Sequence, residues 1–400
     1  MVVRSLLLVA AVLCAAGVSA LAQRRTGAFD QSINHPAIKY STSESHTAVD
    51  ALNQKLRDGS ARLVYEPPSG YLKSVLALLD VPVESQIVVY TQTSMQAKHV
   101  TRENPRAIYF NDEVAVGFIR GAGLIEIVAQ DPVLGSVFYV VHQEPSGNAT
   151  FGREQQCLRC HLSWDTLGVP GTTILSTFPR KSESDYANGF TVDHFRPIEE
   201  RWGGWYVTGK RVPPRHMGNL PLFVAKPLEA LPPSYVALEH VNLDGYPSRY
   251  SDIVALMVFE HQTHLNNLIT RATWEARLGQ PMRVAEAAET LADYLLFVDE
   301  APITSAIEGS SGFTAAFQAR GRKDAKGRSL RELDLKTRLQ KYPLSYMIYS
   351  PQFQAMPEAV KNLVWGRING VLSGEITSPK YAHLTPDLRT AIREILQSTN

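Results

Sequence analysis

Cysteine is scarce in this chain, three residues in 400, and that scarcity excludes a scaffold held together by disulfides. Charge of one sign is also missing. The 40 basic and 39 acidic side chains nearly cancel, so no global field exists to hold nucleic acid or an anionic membrane as principal partner. Beyond the N-terminus there is no apolar run of spanning length, and hence no transmembrane segment in the mature chain. Internal repeats and low-complexity tracts are absent. What remains, at 44% hydrophobic and 20% charged residues, is the makeup of an ordinary globular protein large enough for two or three domains.

Residues 1–22 stand apart. Arg4 provides a short basic start, residues 6–16 are apolar, and Ala20, Leu21 and Ala22 resemble a cleavage site. This pattern predicts a signal peptide removed after Ala22 and a periplasmic location. Leu13 occupies the place where a lipoprotein signal wants a small residue, so Cys14 is expected to leave with the leader. The mature chain then has 39 charges of each sign and retains only Cys157 and Cys160.

The remaining sequence changes character along its length. Residues 23–45 are polar and aperiodic, which predicts a flexible lead-in. Within 46–150, helical spacing over 47–58 and 69–81 gives way to short β-branched and aromatic runs at 87–93, 107–110, 114–119, 124–130 and 137–142. The turns between them are short, so an antiparallel meander of four or five strands is expected. Residues 151–235 are rich in glycine and proline and hold the site motif. Residues 236–400 turn helical, with 3.6-residue spacing over 251–278, 283–298, 330–349, 357–372 and 386–397; Pro343 is expected to kink or split the third of these. The fold class predicted is α+β: a sheet first, helices later.

Both mature cysteines fall in Cys157-Leu158-Arg159-Cys160-His161, a C-x-x-C-H. Two thiols at this spacing can add across the two vinyl groups of one haem, with the following imidazole placed on the iron. Over these five residues the chain resembles the c-type cytochromes. The resemblance implies one covalently bound haem c, thioethers at Cys157 and Cys160, and His161 as proximal ligand. A half zinc site lacks a third cysteine. A redox-active disulfide pair needs only C-x-x-C and leaves His161 unexplained. The loop 168–171 offers carbonyls to orient the proximal imidazole, Pro170 among them.

The opposite face of the iron decides between electron transfer and chemistry. Met217 and its neighbour His216 are candidates downstream of the motif. His261 and His264 recur on one stripe of a long predicted helix, and a vacant or water-filled position is the third option. The first functional reading is a periplasmic monohaem electron carrier with a redox partner protein. The alternatives are a peroxidase-like haem oxidoreductase with an open iron position, and a haem-based sensor or assembly subunit. The aromatic run 202–206 with its paired glycines could line a flat ring or simply pack. The basic-rich segment 320–341 could steer an acidic partner or form a solvated face.

Overall fold

The computed structural model describes residues 27–145, 149–177, 189–220 and 241–399. The expected signal peptide lies outside them. The class is α+β, with the sheet in the N-terminal half and helices after it.

Among the described residues the main sheet has seven strands. These are β1 (Ile87–Val89), β2 (Arg106–Phe110), β3 (Val114–Ile119), β4 (Leu124–Asp131), β5 (Gly135–His142), β6 (Gly152–Arg153) and β9 (Trp205–Tyr206), while β7 (Ile174–Thr177) and β8 (Gly189–Val192) form a separate hairpin. The order β6-β5-β4-β3-β2-β1-β9 is antiparallel throughout. β6 and β9 enlarge the expected meander at its two edges. Two residues carry no detectable alternation, which is why a reading based on period 2 misses them.

The pleat divides the sheet into two chemically different faces. Tyr109, Val116, Phe118, Ile127, Val137 and Tyr139 point into one core, completed by helices α1 (Ala48–Arg57) and α2 (Leu72–Leu78). Thr47 caps α1 through a capping box with Asp50, satisfying donors that the helix leaves open. On the other face Phe110 and Ala115 join the larger helical core. Beside them runs a row Ile108, Gly117, Glu126, Val140 and Gly152, directly opposed across β2 to β6. The site motif sits near this row.

Residues 27–45 have no helix or strand, yet Phe29, Ile38 and Tyr40 are buried. Arg153 donates to the Tyr40 and Ser43 carbonyls at 2.7 and 2.8 Å. The expected flexible lead-in is therefore, over these residues, a strap across the sheet edge, held by three apolar anchors that show no period.

The motif turn α3 (Leu158–His161) leads to the helical region: α4 (Ile253–Leu278), α5 (Pro281–Leu295), α6 (Phe313–Ala319), α7 (Pro351–Gln354), α8 (Glu358–Ser373) and α9 (Pro386–Thr399). Asp252 caps α4, accepting from the Val254 and Ala255 amides at 2.8 and 3.2 Å, and Gly279 ends it at φ +69°. This helix is buried on nearly every side because it lies between the sheet and the other helices. The helix expected over 330–349 does not form. Asp334 instead accepts from the Lys336 amide and the Thr337 hydroxyl, Leu335 takes a positive φ, and Leu333 bridges back to Gln340. An aspartate side chain that bonds its own following backbone competes with helix formation, and a 3-10 turn over Tyr346–Tyr349 is all that remains.

Candidate functional site

The motif is presented by a sequence of local devices. Glu154 accepts from the Gln156 amide at 2.8 Å and starts the turn Gln155–Cys157, which runs directly into α3. Both cysteines are free thiols, Cys157 half-buried and Cys160 exposed. Burial, with Glu126 and Glu154 adding to it, pushes the Cys157 thiol up to about 11. A redox-active C-x-x-C works by the opposite shift, toward the thiolate.

His161 is oriented from behind. Its Nδ1 lies 2.9 Å from the Gly171 carbonyl oxygen. A carbonyl can only accept, so Nδ1 carries the proton and Nε2 carries the free lone pair. Burial holds the imidazole below its ordinary value although the Gly171 carbonyl favours the proton, so the ring is neutral, as metal ligation requires. Phe138 packs against it with ring centroids 4.8 Å apart. Among the described residues no group hydrogen-bonds to Nε2.

The acceptor is one residue past Pro170, and its placement depends on a residue far away in sequence. Asn267 on α4 binds both backbone groups of Thr172, accepting from its amide at 3.3 Å and donating to its carbonyl at 2.9 Å. A side chain at position 171 would meet Asn267 Oδ1 at 2.1 Å, so the close approach requires glycine. Nothing in the local sequence marks Asn267 as an orienting residue.

On the sheet side Arg106 and Glu126 form an ion pair at 2.6 Å, and both act electrostatically on Cys157 and His161. Across from them the Cys157 thiol lies 3.9 Å from the Met95 sulfur. These three residues were not among those singled out from sequence: Arg106 lies just before the expected run 107–110, Glu126 inside the run 124–130, and Met95 in a loop.

None of the four expected distal ligands hydrogen-bonds to or stacks on the motif among the described residues. Met217 is buried, with its sulfur 3.9 Å from the Ser176 hydroxyl oxygen, whose proton goes to the Glu200 carbonyl at 2.8 Å. His216 packs edge-on to Trp202, and burial lowers it to about 4. His261 uses both ring nitrogens, Nδ1 at 3.1 Å from His194 and Nε2 at 2.8 Å from Ser345. His264 lies 4.0 Å from Asp193. The stripe on α4 thus builds a buried polar network with His194 and the stacked ring of Tyr294. No group of three or more potential ligands converges on a metal position among the described residues.

The run 202–206 packs the interior. Trp202 and Trp205 are buried, and a side chain at Gly203 would meet the Thr177 carbonyl oxygen at 2.1 Å. The basic segment is largely paired: Arg320 with Asp80, Lys326 and Arg328 with Glu394, Arg331 with Asp112, and Lys341 with Glu332.

No family model, curated protein or solved structure matches the chain. The functional reading therefore rests on the motif and its surroundings.

The buried histidines set an acid limit. His194, His216, His261 and His264 are all lowered, each chiefly by burial. The folded chain keeps them neutral, whereas the unfolded chain takes up their protons below 6.5. Stability present above that value is lost as pH falls toward the folded values. Glu260 and Glu300, both raised to about 7 by burial, work in the opposite direction, their contribution being lost as pH rises through about 7. His161 and His383 are lowered as well, and Glu113 and Glu275 raised; with six histidines against four carboxylates, the denaturant midpoint is expected to drop between pH 6.5 and about 4.5. A midpoint level across that window would mean the histidines are not held neutral.

Proposed function

We propose that Cys157 and Cys160 carry one covalently attached c-type haem, that His161 is its proximal ligand, and that the protein is a periplasmic carrier passing single electrons to a redox partner protein. The observation that carries this reading is the state of His161: neutral, half-buried, Nδ1 committed to the Gly171 carbonyl at 2.9 Å and Nε2 without a partner among the described residues, one residue from a free thiol. Hydrogen bonding at Nδ1 fixes the ring's orientation and raises its basicity as a ligand. The zinc alternative lacks convergent ligands among the described residues. The redox-pair alternative needs a thiol shifted toward thiolate, and burial shifts the Cys157 thiol the other way.

When bound, haem supplies a one-electron couple at its iron. The chain's own residues orient the imidazole through Gly171 and Asn267, pack it against Phe138, and set a compensated charge pair, Arg106 and Glu126, beside it. Among the described residues no helix is long and apolar enough to cross a membrane. The export reading rests on residues 1–22 alone.

The test is expression with the c-type maturation machinery, followed by absorption spectra with and without carbon monoxide. Haem that survives denaturation is expected, and Cys160→Ala is expected to lose two-bond attachment. Unchanged haem content in that variant, or no covalent haem in the parent protein, would refute the assignment. Carbon monoxide binding by the ferrous parent protein would favour the oxidoreductase or sensor reading over the carrier.

A further inference from the structure

The turn that carries Met95 is held to the sheet on both sides of that residue. Ser94 donates its hydroxyl to Glu126 at 3.1 Å and accepts from the Gln96 amide at 3.0 Å. Gln96 in turn pairs with both backbone groups of Leu124, at 3.2 and 3.1 Å. Glu126, in the opposed row of the sheet, therefore anchors the turn and also acts electrostatically on Cys157.

At the tip of this fixed turn stands an apolar side chain that does not pack inward. Met95 is 54% exposed; Met217, Met257, Met347 and Met356 are buried, and the other open methionine, Met282 at 86%, sits in the first turn of α5. Methionine normally fills core gaps. Here it is held out of the core with its sulfur 3.9 Å from Cys157. The thioether bonds put the cysteine sulfurs at the edge of the ring, and an unbranched side chain with three rotatable bonds can swing from that edge toward the centre. A thioether is a soft donor that haem iron accepts as an axial partner to histidine.

We propose that Met95 supplies the second axial ligand, its sulfur taking the iron face opposite His161. This rests on the haem reading above and deepens it: the ligand comes from a turn 62 residues before Cys157, not from any of the downstream candidates that the sequence offers. The expected downstream methionine, Met217, is buried and faces the Ser176 hydroxyl, and His261 has no free ring nitrogen. With both axial positions filled by protein, the site is built for electron transfer and closed to small ligands.

The test compares holoprotein of the parent sequence with Met95→Leu and Met217→Leu. Three readouts are taken: haem content after denaturation, the weak long-wavelength charge-transfer band of methionine-ligated ferric haem, and carbon monoxide binding in the ferrous state. Leucine keeps the bulk and removes the sulfur, and at an exposed position it leaves folding intact, which equal haem content reports. The expected result is a band in the parent protein that persists in Met217→Leu and disappears in Met95→Leu, with carbon monoxide binding gained only there. A band that survives in Met95→Leu, or a parent protein without methionine ligation, overturns the assignment of Met95 while leaving covalent attachment standing. A parent protein without covalent haem overturns the haem reading itself.

Discussion

Replacing His161 with glycine is expected to abolish the low-spin haem spectrum, and imidazole added to the solution is expected to restore it. The half-buried side chain packs on Phe138, ring centroids 4.8 Å apart, so its removal leaves a ring-shaped gap lined on one side by an aromatic face and on another by the Gly171 carbonyl. Free imidazole has what that gap lacks: an N–H for Gly171 and a lone pair at the opposite nitrogen. The carbonyl, left without its partner, costs about 1–3 kcal/mol, which gives the added ring a second reason to bind. Titrating imidazole into the variant while following the absorption spectrum measures this. A low-spin spectrum identical to that of the parent protein before any imidazole is added would remove His161 from the iron.

The second large effect is expected away from the C-x-x-C-H motif. Arg201 and Glu260 form an ion pair at 3.1 Å with side chains 4% and 1% exposed, and the Trp202 indole N–H also donates to Glu260. Arg201 makes its remaining bonds to the carbonyls of His194 and Arg196. Trp202 itself sits at φ +72°, a left-handed conformation costing a bulky residue about 1–2 kcal/mol, and its bond to Glu260 helps to hold it there. Glu260→Ala leaves a buried guanidinium and an indole N–H unpaired, and removing one partner of such a pair costs about 3–5 kcal/mol. Against a total stability of about 5–15 kcal/mol that is a large fraction. Glu260→Gln, which keeps an acceptor for Trp202 and the volume of the side chain, is expected to lose less. Urea unfolding of both variants above pH 7 provides the comparison, and an alanine variant within about 1 kcal/mol of the parent would show that the pair adds nothing net. The effect should also reach the site: Gly203 packs on Thr177 at the end of β7, the strand that begins three residues after Gly171.

The sequence by itself determined what depends on neighbours along the chain. The α+β class, the period-2 strands β2 to β5, the 3.6-residue stripe of α4 and the five-residue motif all follow from local spacing, because pleat and helix each repeat over a few residues. Where side chains compete with the backbone over longer reach, spacing misleads. Residues 330–349 carry a helical pattern, but Asp334 captures the backbone first. The strap over residues 27–45 shows no period because it uses only three anchors.

The surroundings of the motif were decided by tertiary structure. Gly171 receives the His161 proton because Asn267, nearly a hundred residues on, clamps Thr172. Arg106 and Glu126 come to the motif because strand register opposes Gly117 to Glu126. The histidine stripe of α4 looked available for iron, yet His194 and Ser345 occupy His261, and the residue that does lie against Cys157 is a loop methionine with no sequence signal at all. A thiol pair and an imidazole can be specified within five residues. What surrounds them depends on distant segments brought together by the sheet, and sequence spacing does not encode that.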